Sequence, residues 1–332
     1  MRTSSKLLAL LIFVGCGGSK PPAPEPVTVD PTPAPTEEEA TEPTQGIAEG
    51  EPAPAAPEPP PVTPVMTLED VGFATPESVL YDDVEDVYLI SNINGGPSAK
   101  DKNGFISKVS PDGTVVALKW IDGSAKATPL SAPKGMALAN GLLYVADIDT
   151  VRLFDRKTGK AKGSIALKGA TFANDVAAGP DGTVYVSDSG IKIDDSGVTP
   201  TKTDAVWMIN KKKKATVLAR GEELGKPNGL FATDQGVWVV TFGTGELYLL
   251  DAKGARSEEQ KVAGALDGLY VSGDDIWVSS WETSSVERGT AGSEFSTMQG
   301  DLPAPADFGV DTKRNLLLVP LFNDNKVVAY SL

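Results

Sequence analysis

Six anchored segments recur from residue 76 onward and constrain the fold more than any other feature of the chain. They are Pro76-Glu77-Ser78-Val79, Pro133-Lys134-Gly135-Met136, Ala173-Asn174-Asp175-Val176, Pro227-Asn228-Gly229-Leu230, Leu266-Asp267-Gly268-Leu269 and Ala306-Asp307-Phe308-Gly309. A second apolar run follows each anchor, at residues 87–91, 143–147, 184–188, 237–241, 276–280 and 316–320. Turn signals such as Ser110-Pro111-Asp112-Gly113 and Gly179-Pro180-Asp181-Gly182 separate the runs, and helical periodicity is nearly absent. This is the pattern of an all-β chain. Counted from residues 77, 135, 174, 228, 267 and 307, the intervals are 58, 39, 54, 39 and 40. Repeats near 40 residues with four short strands apiece are propeller blades, because each sheet buries its two faces only by stacking on neighbours. A six-bladed β-propeller over residues 66–332 is therefore expected. A β-sandwich lacks so regular an anchor. The last segment has room for only three strands, so residues 66–73 are expected to supply a fourth and close the ring. The two long intervals carry extra residues at 92–104 and 188–204, between second and third strands. Both insertions should overhang the mouth where the anchors sit.

The segment before the repeats is a different material. Arg2 and Lys6 precede a short apolar run at residues 7–14, and Phe13-Val14-Gly15-Cys16 places the chain's only cysteine just after a small residue. That run is too short to span a bilayer and reads as a signal segment with its cleavage site. It resembles a bacterial lipoprotein signal at residues 1–15, with Cys16 the lipidated N-terminus. Gly17, not Asp, follows the cysteine and points to the outer membrane of the cell envelope; the alternative is ordinary secretion with Cys16 removed. Fifteen of the 26 prolines and nine acidic residues lie in residues 20–65, with Lys20 the single cation there. Such a stretch lacks the apolar mass to repay ordering, so residues 16–65 read as an extended tether.

Composition removes several functions. With no histidine, the chain has no Ser-His-Asp triad, imidazole metal site or histidine proton shuttle. One cysteine gives no internal disulfide and no thiolate zinc cluster. A formal charge of −15 argues against nucleic acid, whose binding rests on Lys and Arg displacing counterions.

The anchors carry the candidate chemistry. Each begins the innermost strand of its blade, and the expected ring of side chains is Glu77, Gly135, Asn174, Asn228, Asp267 and Asp307. Several carboxylates brought together in a narrow channel force protonation or repulsion unless a cation joins them. An all-oxygen set of mixed charge suits a hard divalent ion, Ca²⁺ above all, with Mg²⁺ or Zn²⁺ as alternatives; zinc ordinarily prefers nitrogen or sulfur. The competing reading treats Asn-Asp, Asn-Gly and Asp-Gly as turn residues between blades. Glu77 fits that reading poorly, since Glu is not a favoured turn former.

Glu77 in Pro-Glu-Ser, Asn174 in Asn-Asp, Asn228 in Pro-Asn-Gly-Leu and Asp267 in Asp-Gly-Leu match, in order and blade position, the metal-site motifs of the regucalcin/gluconolactonase (senescence marker protein-like) family of six-bladed propellers. The resemblance covers about residues 72–332. It implies that Glu77, Asn228 and Asp267 bind a divalent cation, and that Asn174 joins this set at the position meeting substrate or water. The family pattern often has Arg two residues before that Asn, holding a sugar-lactone oxygen; here Phe172 stands there and favours a more apolar ligand. The related paraoxonase-like propellers use histidine as base, which this chain lacks.

Two functions follow as expectations. In the first, the protein is a metal-dependent hydrolase of a small lactone or ester. The cation polarises the carbonyl, Asp267 takes the proton with Asp307 as an accessory, and Asn174 holds substrate or water. In the second, it is a scaffold that binds an envelope component, with a structural metal and no turnover; a monomer is expected under either. Lys211-Lys212-Lys213-Lys214 reads as a solvated turn, Trp207, Trp238, Trp277 and Trp281 as packing between blades, and Asp147 and Asp188 as caps of blade turns.

Overall fold

Each second strand is almost wholly buried because it lies mid-sheet with a neighbouring blade on either face, whereas fourth strands such as Ala161–Ala166 are largely exposed. The computed structural model describes residues 63–332. The signal segment, Cys16 and all but the last three residues of the expected tether lie outside the described residues. The chain forms six four-stranded antiparallel sheets and is a six-bladed β-propeller. Blade 1 comprises Pro76–Asp82, Val87–Asn92, Phe105–Val109 and Val115–Asp122, and blade 2 Pro133–Ala139, Leu142–Asp147, Thr150–Asp155 and Ala161–Ala166. Blade 3 comprises Ala173–Ala178, Val184–Asp188, Ala205–Ile209 and Ala215–Arg220, and blade 4 Pro227–Ala232, Val237–Thr241, Glu246–Leu250 and Arg256–Lys261. Blade 5 holds Leu266–Ser272, Asp275–Ser280, Ser285–Thr290 and Ser296–Gln299. Blade 6 holds Gly309–Asp311, Leu316–Leu321 and Lys326–Ser331, with Met66–Leu68 paired along Lys326–Ser331 in the fourth place. Among the described residues, helix is confined to one 3-10 turn, Glu222–Leu224.

Buried apolar side chains gather at the interfaces between neighbouring blades. Leu89 and Ile106 meet Met136 and Val145 between blades 1 and 2, and Tyr144 and Leu153 meet Val186 and Trp207 between blades 2 and 3. Tyr185 meets Leu230 and Tyr248, Trp238 meets Leu269 and Val278, and Trp277 meets Val319 and Tyr330. The last interface, between blades 6 and 1, joins Leu318 and Val327 to Val79 and Tyr88. At about 25 cal/mol per Å² of apolar surface removed from water, this radial stacking is what makes marginal four-stranded sheets stable. The ring is also sealed through its backbone. Asp307 N donates to Glu77 O at 3.0 Å and Val79 N to Asp307 O at 3.1 Å, a parallel bridge between two inner strands.

Two further details position the site. In blades 1 to 5 the inner strand bulges just after its first residue, for example between Pro227 and Leu230 and between Leu266 and Leu269. A bulge re-aims side chains out of the pleat, which here is toward the channel. The chain entering the inner strand is held by the end of the second strand. Asn92 Oδ1 accepts from Ala74 N, Asp147 Oδ1 from Ser131 N and Ala132 N, and Asp188 Oδ1 from Thr171 N and Phe172 N. Lys211 to Lys214 form an exposed turn of blade 3.

Candidate functional site

The register fixes which side chains share a level in the channel. Pro76 pairs with Asn92, Pro133 with Asp147, Ala173 with Asp188, Pro227 with Thr241, Leu266 with Ser280 and Pro305 with Leu321. The next residue in each blade forms an outer layer: Glu77, Lys134, Asn174, Asn228, Asp267 and Ala306. The residue after that forms an inner layer: Ser78, Gly135, Asp175, Gly229, Gly268 and Asp307. The single ring expected from sequence therefore mixed two levels, and Gly135 and Asp307 belong to the deeper one. The cause at blade 6 is the parallel bridge to blade 1, which sets Asp307 beside Ser78; Ser78 Oγ donates to Asp307 Oδ2 at 2.5 Å. Lys134 takes the outer position in blade 2.

The Asn-Asp, Asn-Gly and Asp-Gly pairs lie within inner strands, not in turns between blades. Glycine is needed in the inner layer because the channel is narrow. A Cβ on Gly135 would stand 2.1 Å from Asp175 Oδ1, and one on Gly229 2.0 Å from the Asp267 carbonyl oxygen. Gly229→Ala should consequently destabilise the protein by about 1–3 kcal/mol in chemical unfolding, because it overpacks against backbone. Gly300→Ala, whose Cβ would meet only Thr297 Cγ2 at 3.8 Å, should stay within about 0.5 kcal/mol.

The outer layer is buried. Glu77, Asn228 and Asp267 are 6%, 3% and 5% exposed. Asn174 Nδ2 donates to Asn228 Oδ1 at 2.5 Å and to Ser189 Oγ at 3.1 Å, Asn228 Nδ2 donates to Leu266 O at 3.1 Å, and Trp281 Nε1 donates to Asp267 Oδ2 at 2.8 Å. Glu77 Oε2 is buried and has no hydrogen-bond partner among the described residues. Below, Asp175 accepts from Val176 N and Leu230 N, both at 2.6 Å. Beyond it a cavity of about 360 Å³ runs among the downstream parts of the inner strands, with Asp175 and Asp307 on its wall.

Burial and mutual repulsion govern the charges. Burial holds the Glu77 carboxyl well above the usual carboxylate range, Asp267 and Asp307 add to this, and Lys134 opposes it. Burial pushes Asp267 up to about 7 against the hydrogen bond from Trp281, with Asp175 adding to the rise. Asp175 rises to about 6 for the same first reason, opposed by its backbone donors, and Asp307 lies well above its ordinary value through burial and Asp175. Lys134 is the buried cation of the channel. Its ammonium donates to Pro97 O at 3.1 Å and Ala132 O at 3.2 Å and sits 4.2 Å from the Phe172 ring centroid. Burial lowers it to about 8, against the pull of Glu77 and Asp147.

The outer layer offers two carboxyls, Glu77 and Asp267, beside the amide oxygens of Asn174 and Asn228, a donor set of the kind a hard divalent cation takes. Every donor is oxygen, and a bound cation would give Glu77 Oε2 the partner it lacks. Glu77, Asn174, Asn228 and Asp267 share the outer layer. Lys134, Asp175 and Trp281 were not among the expected site residues. Trp207, Trp238 and Trp277 pack between blades, but Trp281 is half-buried at the mouth against Asp267. Both insertions reach the mouth. Pro97 covers Lys134, and Ile193 N donates to Ser98 Oγ at 2.9 Å, joining the 92–104 loop to the hairpin Ile191–Asp194 and Gly197–Pro200.

Compared with models of protein families and with curated proteins, the chain matches none. Solved structures do match. A structural-genomics target provisionally described as a gluconolactonase aligns with a TM-score of 0.60 at 18% identity, over 81% of this chain and 93% of that one. A gluconolactonase of Xanthomonas campestris aligns with a TM-score of 0.60 at 16% identity, over 78% and 86%. Virginiamycin B lyase of Staphylococcus aureus aligns with a TM-score of 0.55 at 14% identity, over 80% and 98%. These similarities carry the fold.

Proposed function

We propose that this propeller is a divalent-cation-dependent hydrolase of small lactones or esters, anchored by a lipidated Cys16 in a bacterial envelope and held off the membrane, on the outer-membrane side, by the 16–65 tether. The observation that carries the catalytic reading is the unpartnered, buried Glu77 Oε2 in one layer with Asp267, Asn228 and Asn174. Glu77, Asn228 and Asp267 would hold the ion, Ca²⁺ first among the candidates. Bound there, it supplies Lewis acidity toward a carbonyl oxygen.

The chain's own groups do the rest. Asp267, fixed through one oxygen by Trp281, is the carboxylate placed to take the proton from the attacking water as general base. Asn174 orients substrate or water through its amide, itself held by Ser189. The insertions at 92–104 and 188–204 keep bulk water from the outer layer, which strengthens every charge interaction inside it. Similarity to structures described as gluconolactonases and a lyase supports an enzymatic reading.

One observation favours a second reading, a non-catalytic envelope-binding propeller with a structural ion: Phe172 and the capped Lys134 replace the exposed cation that the resemblance leads one to expect. A panel of lactones and esters, assayed on the cation-stripped protein and again after adding Ca²⁺, Mg²⁺ or Zn²⁺, decides between them. Turnover that appears only with a divalent ion is expected. Absence of turnover with every ion would leave the scaffold.

A further inference from the structure

One backbone hydrogen bond recurs around the mouth. Ile93 N donates to Thr75 O, Ser189 N to Phe172 O, Phe242 N to Lys226 O, Trp281 N to Ala265 O and Phe322 N to Ala304 O. These five residues therefore occupy equivalent stations, one step past the second strand and directly beside the outer layer. In blades 4, 5 and 6 the station is aromatic. Phe242 and Trp281 meet edge to face with centroids 5.7 Å apart and an interplanar angle of 80°, and Trp281 and Phe322 meet at 5.2 Å and 54°. All three rings are half-buried, so each keeps a part open to the mouth. Trp281 is locked by its hydrogen bond to Asp267, and Phe322 packs on Ile93, Ala132 and Ile148. In blade 3 the same station is Ser189, whose hydroxyl donates to Pro227 O and accepts from Asn174.

We infer that the arc Phe242–Trp281–Phe322 binds an aryl group, and that the substrates of the site are aryl esters or aryl-substituted lactones. This rests on the hydrolase reading above. An aryl ring meets edges and faces it can stack against, while the arc offers a sugar's hydroxyls no partner of its own, the Trp281 Nε1–H being taken by Asp267. The polar groups of the site, Asp267, Asn174 and Ser189, then face the carbonyl end, so one substrate presents its two ends to two chemically different walls.

Lactams test this without turnover. Calcium-loaded protein is titrated by calorimetry with 3,4-dihydro-2-quinolinone, an aryl lactam, and with δ-valerolactam, its aliphatic counterpart. The aryl lactam should bind about tenfold tighter, as roughly two aromatic contacts allow. Phe242→Leu and Phe322→Leu should each cut that ratio about threefold, while Trp281→Phe, which keeps a ring, should largely preserve it. Thermal melts confirm that each variant is folded. Equal affinities, no binding of either lactam, or a ratio unmoved in both leucine variants would overturn the assignment. An aryl preference in binding with no hydrolysis of any ester overturns the hydrolase reading and leaves the arc. Hydrolysis without aryl preference does the reverse.

Discussion

Glu77→Gln is expected to abolish calcium-dependent stabilisation and to lower lactone or ester hydrolysis at least about a hundredfold. The substitution keeps the shape of the side chain and removes its charge, so it separates packing from electrostatics. In the wild type, saturating Ca²⁺ at about 100 times its Kd adds roughly 2.7 kcal/mol, or about 5–10 °C in Tm for a domain of this size. The variant should show no such gain. Without calcium the sign reverses. Glu77 is buried beside Asp267 and Asp307, and replacing it removes repulsion, so the calcium-free variant should melt at or above the calcium-free wild type. Differential scanning calorimetry of both proteins, with and without calcium, reads all four states. A calcium shift of equal size in wild type and variant would remove Glu77 from the ligand set.

Stripped of divalent ions, the wild type should lose stability as pH rises from about 4 to about 7. Asp267 has an ordinary value of 3.8 and is lifted to about 7, and Asp175 is lifted to about 6, in both cases mainly by burial. A carboxyl raised in this way binds its proton more tightly in the folded state. Its stabilising contribution is complete below the unfolded value and disappears as pH passes through the folded one. Each such group changes stability by ~1.4 kcal/mol per pH unit inside its window, or about 3–4 °C in Tm. Carboxyls with lowered values, such as Asp82 beside Arg156 and Asp311 beside Arg314, act in the opposite direction and below pH 3.8, so the two windows do not overlap. On the proposed reading calcium takes the deprotonated groups and should flatten the decline. Melting curves measured across pH 4–8 with and without calcium check this, and a flat calcium-free profile would count against a crowded carboxylate channel.

The architecture was legible in the sequence because each blade needs the same parts in the same order: an anchor, a doubly buried second strand and polar edge strands. That Glu77, Asn174, Asn228 and Asp267 stand at the start of inner strands was legible for the same reason. The two-level channel was not. The bulge sends two consecutive residues of each strand inward, and an alignment by chemical likeness sets Asp307 level with Asp267 although Ala306 holds that place. Lys134 carries no signal in the sequence because the Pro97 carbonyl and Phe172 ring that make its burial tolerable are distant along the chain and are brought to it only by the fold. Trp281 reads like the other blade tryptophans. It differs by standing one residue beyond its strand, where Ile93, Phe242 and Phe322 also stand.

A high-resolution crystal structure of the calcium-soaked protein tests the metal centre most directly. The expected result is one ion bonded to oxygens of Glu77, Asn228 and Asp267, confirmed by its anomalous signal. A map with only water there, or with the Lys134 ammonium turned in to meet Glu77, would contradict it.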